Sequence, residues 1–584
     1  MNMALSADRS PKGGNSMKGI GTGGGKALAE IYILNNDSVE IKKYINDNTE
    51  DECKRIDNAR EIAKEQIRAV MESLVKCEGD DNVGILDYQL LFLEDESFFD
   101  DIKTYINDQH VNCEYALHEC VKNFITDFEK IENDYLKERI SDIYDMEKRV
   151  QMVLADKPLQ DISCMDGECI IATDEMLPSQ VMSMDRKNIK GILMEYGGRT
   201  SHSVIIARSL GIPCIVGLED IRKQVAHGQK VIIDGNTGDV NINPSKDDIS
   251  DFQEYQQNNN LKNMELKKFI DRDTRTQDGV TMKILANISS ENDVKYMLEN
   301  GGEGIGLFRT EFIYINNKTL PTEEAQYRIY SDIARKNKDR MFIIRTLDIG
   351  GDKCIDYLNI KKEENPFLGF RAIRYCLKNP HIFKAQISAI LRASTLGNIK
   401  FMLPMIATLM ELRSAKDMID QVKQELEGKG MDFCKDIQVG MMIETPSAAL
   451  MADRFAKEVD FFSIGTNDLT QYLFAADRMN EQVAYLNSSF HPQLLKVVKD
   501  VVDCGKRNGI EVDICGHAGE NPYLIPVWVA MGVDNLSVSI PSILAVRQQI
   551  CNMNKKDLTP VLEKVLAFDD AYEVEEYLKK QFQF

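Results

Sequence analysis

From residue 274 onward, eight apolar runs of strand length recur: VTMKILANI, EGIGLF, MFIIRTLD, IKFMLPMI, IQVGMMIE, VDFFSIG, IEVDIC and NLSVSI. Segments of helical pattern separate them. Eight such units in one stretch are what a (β/α)8 barrel of the TIM type requires. An open doubly wound sheet is the alternative that the pattern leaves standing. The polar residues that interrupt these runs fall at their C-terminal ends: Arg309, Arg345, Asp348, Glu444, Asn467, Asp468 and Cys515. In a barrel those ends converge on one mouth, where barrel active sites lie. Each residue alone has a plain reading as a cap or a core group. Together their chemistry is coherent. Glu444 and Asp468 can hold a hard divalent cation through oxygen, and arginines can clamp phosphate and carboxylate through paired hydrogen bonds.

The rest of the chain has a different texture. Residues 1–16 lack an apolar signal core and read as a disordered extension. A glycine-rich start and an apolar run (17–35) precede a long, charged stretch poor in Gly and Pro (36–158), which predicts a helical subdomain. Residues 159–244 alternate short apolar runs (ECIIAT, KGILME, PCIVG, KVIIDG) with helical segments. Together with 17–35 they predict an α/β domain into which the helices are inserted. Residues 245–273 are polar with helical potential and read as a linker and candidate hinge. Residues 274–584 are the predicted barrel.

The chain has 584 residues and a formal net charge of −22. That balance argues against nucleic acid as a partner. It also means that an anionic substrate must be met by a local cluster of Arg and Lys. The 13 cysteines show no repeating spacing, so a reducing cytosol fits better than a disulfide framework. Cys164 and Cys169 lie close together, but no second pair completes a zinc site. No run of about 18 apolar residues predicts a membrane span.

A second chemical centre is GGRTSHSVIIARSLGIPCIVG, residues 197–217. A glycine turn leads through Thr200 and Ser201 to His202 and an apolar helix. The free N–H groups and positive dipole end of that helix suit an anion beside His202. The same dipole favours the neutral imidazole, which keeps a lone pair and needs no general base to attack phosphorus. A helix cap or core histidine is the plain alternative. GIGTGGGKA (19–27) is a decoy for a phosphate loop: the required first glycine is Ile20 and the required Ser or Thr is Ala27.

Across residues 18–580 the sequence resembles Enzyme I of the bacterial phosphoenolpyruvate (PEP):sugar phosphotransferase system. GGRTSHSVIIAR is similar to the phosphohistidine signature of PEP-utilising enzymes and DFFSIGTNDLTQY to their second signature. GLFRTEF, IIRTLDIGGDK, NPFLGFRAIR, MLPMI and MIETPSAA follow the order of the Enzyme I barrel. The resemblance implies that His202 is phosphorylated by PEP and that Cys515 protonates the enolate to give pyruvate. It implies PEP binding by Arg309, Arg345, Asn467, Asp468 and Arg478, with Arg371, Lys353 and Thr200 in supporting places. Glu444 and Asp468 would ligate Mg2+. The phosphoryl group would pass to the phosphocarrier protein HPr, docked on the 36–158 subdomain near Leu91, Phe92 and Phe98. A cytoplasmic homodimer through the barrel is also implied. Around the acid, the family usually reads C-G-E, one further residue, then A-G-D. Here Cys515, Gly516, His517, Ala518, Gly519 and Glu520 make a segment one residue shorter, with His517 in place of Glu. Two other functions stay open on sequence alone: a dikinase-like enzyme, which would need an ATP-binding domain, and a regulator that keeps the fold without turnover.

Overall fold

A computed structural model describes residues 15–582 apart from 35–40, 79–83, 130–133, 157–161, 163–164, 166, 177–179, 182–183, 186, 199–200, 210, 316, 318, 351–354, 359, 362 and 479. It divides into two compact units, Met1–Asn259 and Asn260–Phe584.

The first unit is built on an eight-stranded sheet. Its strands are β1 (Asn15–Lys18), β2 (Ile20–Gly21), β3 (Lys26–Ile33), β4 (Cys169–Thr173), β5 (Ile189–Met194), β6 (Cys214–Val216), β7 (Lys230–Asp234) and β8 (Asp239–Ile242), in the order β1-β8-β7-β3-β4-β5-β6-β2. The four strands β3 to β6 run parallel, and the pairs at either end are antiparallel. Alternation along β3 sends Ala27, Ala29 and Ile31 into a core shared with Ile170, Leu193 and Ile233. The opposite face of the sheet, with Ile171, Ile192 and Val216, packs into the core of the helices inserted after β3. Those helices are α1 (Thr49–Glu78), α2 (Gly84–Glu94), α3 (Glu96–Gln109), α4 (Cys113–Glu129) and α5 (Asp134–Leu154).

Two expectations need correction here. The extension assigned to residues 1–16 overlaps β1: Asn15 and Ser16 pair antiparallel with Ile242 and Asn241. Their polar side chains carry no strand signal, because an edge strand is held by its backbone ladder. The docking residues also differ in kind. Leu91 is exposed and Phe92 half-buried, but Phe98 is 5% exposed. Phe98 stacks against Phe92, Phe99 and Phe124 with ring centroids 4.6–5.7 Å apart. It is therefore part of the helical core and presents no surface. The glycine-rich decoy forms β2, a turn and the start of β3. At Gly24, φ is +90° and a Cβ would lie 2.5 Å from the Pro213 nitrogen, so only glycine fits.

Two further helices matter below. One is α6 (His202–Ser209), which opens on the histidine of GGRTSH; the other is α7 (Lys246–Lys267), which covers most of the polar linker. The boundary between the two units falls inside α7.

In the second unit the eight apolar runs close into a barrel of parallel strands: β9 (Lys283–Ile288), β10 (Gly304–Arg309), β11 (Met341–Arg345), β12 (Asn398–Leu403), β13 (Val439–Ile443), β14 (Phe461–Gly465), β15 (Glu511–Cys515) and β16 (Asn535–Val538). Strand β16 pairs with β9, which completes the ring. The barrel interior is filled by Leu285, Leu307, Met341, Ile343, Met402, Met442, Phe461 and Cys515. The strands thus enclose a packed core rather than a pore, as barrels of this size do. Among the described residues no helix is long and apolar enough to cross a membrane.

Candidate active site

Period-two alternation puts Ile343 and Arg345 on the same inward face of β11, and Asp513 and Cys515 on that of β15. Arg309, Arg345 and Cys515 are the last residues of their strands, and Glu444 follows β13 directly. Asn467 and Asp468 lie in the first turn of α8 (Thr466–Leu473), which starts where β14 ends. The same end of the barrel thus carries all of them.

There the charges alternate along one bonded line. Glu311 Oε1 accepts from Arg345 Nη2 at 2.7 Å, and Arg345 Nη1 lies 2.9 Å from Asp348 Oδ2. Arg371 Nη2 then bridges Asp348 Oδ1 at 2.9 Å and Asp468 Oδ2 at 3.3 Å. Arg478 Nη1 closes the line on Asp468 Oδ1 at 2.9 Å. Arg345, Asp348, Arg371 and Asp468 are all buried. Removing one partner of a buried pair strands the other charge and costs about 3–5 kcal/mol, so the line fixes the donors rigidly. The neighbouring carboxylates hold the Arg345 and Arg371 guanidiniums well above their ordinary range despite burial.

Glu444 sits beside this line. It is 1% exposed, and its Oε1 accepts the Met405 N–H at 2.6 Å. Burial, then the nearby Asp468 and Asp348 carboxylates, push its carboxyl up to about 8, against the pull of Arg345 and Arg371. Among the described residues Glu444 makes no ion pair of its own, and a carboxylate crowded by two others in this way is a donor suited to a hard cation. Among the described residues, the cluster of three potential metal ligands lies elsewhere, at Glu52, Cys113 and Glu114. There Arg55 bonds both glutamates, so the group is a satisfied ion cluster.

Arg309 stands apart from the bonded line. Its guanidinium lies 4.7 Å from the Phe312 ring centre, and burial lowers its pKa. Among the described residues it makes no ion pair, which leaves its donors for an anion. Cys515 is enclosed: its Sγ accepts from Ser463 Oγ at 3.5 Å and donates to the Ile464 carbonyl at 3.4 Å. Burial pushes the thiol up to about 12, so it keeps its proton at neutral pH. Lys353 and Thr200 lie outside the described residues, as does the side chain of His202. The backbone places His202 as the first residue of α6, and the preceding Ser201 N–H donates to the Gly198 carbonyl. Ser203 Oγ ties the helix start to the Met176 carbonyl at 2.6 Å.

Three family models match the chain: PEP-utilising enzyme N-terminal at 18–139, mobile domain at 165–238 and PEP-binding domain at 263–555. A phosphoenolpyruvate-protein phosphotransferase of Geobacillus stearothermophilus is 42% identical over 97% of this chain and 98% of its own length. The chain belongs to the phosphoenolpyruvate-protein phosphotransferase family. One of Bacillus subtilis (strain 168) is 41% identical over 97% of this chain and 99% of its own, and one of Staphylococcus aureus (strain MRSA252) is 39% identical over 94% and 96%. The mobile-domain match takes in α6 and the PEP-binding match takes in every strand of the barrel. The barrel-mouth network and the GGRTSH helix are thus features of a phosphotransferase.

Proposed function

We propose that this chain takes the phosphoryl group of PEP onto His202 and passes it to a histidine of the phosphocarrier protein HPr, starting sugar uptake. The observation that carries the reading is the line of alternating charges at the strand ends, with Arg309 left outside it. Arg309, Arg345, Arg478 and Asn467 bind PEP, and Arg371 holds Asp348 and Asp468 in place. Mg2+ held by Glu444 and Asp468 would spread the charge of the phosphoryl oxygens. The neutral His202 imidazole attacks phosphorus: an N–P bond forms, the bond to the enol oxygen breaks, and the electron pair leaves with enolpyruvate. The Cys515 thiol gives its proton to the enolate carbon, and the thiolate recovers one from solvent.

One imidazole cannot meet the barrel mouth and the carrier together, so the 245–273 linker is the hinge of the cycle. HPr docks on the helical subdomain, where Leu91 is the exposed apolar residue of the three first considered. The same reading includes assembly into a dimer through the barrel.

The test is the mass of the intact chain after incubation with PEP and Mg2+. We expect a gain of one acid-labile phosphoryl group, lost again on adding HPr. A well-folded chain that gains nothing overturns the reading. Removing the acid separates the steps: Cys515→Ala is expected to slow pyruvate release by about 10²–10⁴-fold and to leave carrier-to-enzyme transfer unchanged. A pyruvate-coupled assay reads the first rate, and a normal first rate would remove Cys515 from the mechanism.

A further inference from the structure

His517 follows Cys515 by two residues and opens a single 3-10 turn, His517–Gly519, directly after β15. Gly516 makes that placement possible. Its φ is +93°, and a Cβ there would meet Thr466 Oγ1 at 2.8 Å and Asn467 Oδ1 at 3.2 Å. Gly516 therefore lies against the start of α8, and His517 is the next residue along the chain at the strand end that carries Cys515. Arg345, Glu444 and Asp468 are buried there, whereas the His517 side chain is 86% exposed. Its Nδ1 is 3.8 Å from Glu520 Oε1. Glu520 is itself fastened by the Ser539 N–H at 3.0 Å and the Ser539 hydroxyl at 2.5 Å. Those bonds and His517 hold Glu520 down to about 2, although burial opposes them. A fixed, ionised carboxylate thus faces the imidazole on one side. The charged groups facing it from other elements are Arg309, at the end of β10, and Arg478, beyond α8.

We infer that His517 is a substrate-affinity residue: with Arg309 and Arg478 it forms a cationic rim that draws PEP to the mouth, and it does so while protonated. The inference rests on the reading of the mouth as the PEP site. A chain of net charge −22 repels a multiply charged anion, so each local cation at the mouth raises substrate concentration there. The Glu520 carboxylate beside it raises the pKa of His517, while the two guanidiniums oppose the shift. A group so raised carries its charge below that pKa and loses it as pH rises through it. PEP affinity should follow the same course.

The test compares KM for PEP in the full chain and in His517→Gln, with Mg2+ and HPr, from pH 6 to pH 9. The ratio of the two KM values cancels the ionisation of PEP itself. We expect the variant's KM to be about threefold to fivefold higher at pH 6, as befits an exposed charge, with the ratio falling to about one at pH 9 and kcat unchanged. A ratio that does not change with pH overturns the inference. Arg309→Met, measured alongside, tells two failures apart. If it loses PEP affinity at every pH while His517→Gln tracks the parent, His517 alone is wrongly assigned. If Arg309→Met binds PEP normally, the mouth is not the PEP site and both readings fall.

Discussion

A chain carrying His202→Ala is expected to gain no phosphoryl group, whether it is offered PEP with Mg2+ or phosphorylated HPr. The loss should be complete, because both half-reactions use the same nitrogen as their covalent way-station and alanine supplies no substitute. Folding should survive. His202 is the first residue of α6, where the helix is anchored by Val204 and Ala207 in the core and by the Ser203 bond to Met176. A thermal midpoint close to that of the parent would show that chemistry, and not structure, has been removed. The decisive contrast is PEP binding. Calorimetric titration of the variant with PEP should give the parent's affinity, since the binding groups belong to the barrel. If His202→Ala still gains an acid-labile phosphoryl group, another residue is the nucleophile. The GGRTSH helix would then be an anion-binding turn without a covalent role.

The barrel is legible in the sequence for a physical reason. Its strands read as apolar runs, and a charged or reactive residue ending such a run is visible in one dimension. Arg309, Arg345 and Glu444 are the charged ones, and Cys515 is the reactive one. Glu311 does not. It lies in a short helix start, where an acidic residue is an ordinary cap, and its partnership with Arg345 exists only once β10 and β11 are side by side. Arg371 follows an irregular segment and comes into view only through resemblance, because its partners Asp348 and Asp468 are 23 and 97 residues away. The edge strand β1 escapes notice because four residues are too few to show a period. Phe98 is misleading in sequence for the opposite reason. LLFLEDESFF is apolar enough to dock a partner, and nothing local says that its second aromatic cluster turns inward onto Phe124.

Glu444→Gln is expected to divide the reaction in two. The amide keeps the size of the side chain, and its oxygen can still accept the Met405 N–H. What it removes is one of the carboxylates crowded at the mouth. Without that charge a divalent cation is held by Asp468 alone, whose oxygens already accept from Arg371 and Arg478. We expect pyruvate formation from PEP to fall by at least about 10³-fold, equivalent to about 4 kcal/mol of transition-state stabilisation. Added Mg2+ should restore only part of it. Phosphoryl transfer from HPr to His202 should proceed at the parent rate, because it uses the GGRTSH helix and not the barrel. Stability should not suffer. Burial and like charge already push the Glu444 carboxyl up to about 8, so without metal it is largely protonated at pH 7, and a neutral isostere should leave the thermal midpoint level. If carrier-to-enzyme transfer fails as well in a folded variant, the two half-reactions share the barrel site. The division of labour proposed between α6 and the strand ends would then be wrong. If pyruvate formation survives, Glu444 is a structural carboxylate, and the cation must be sought on Asp468 and Asp348 instead.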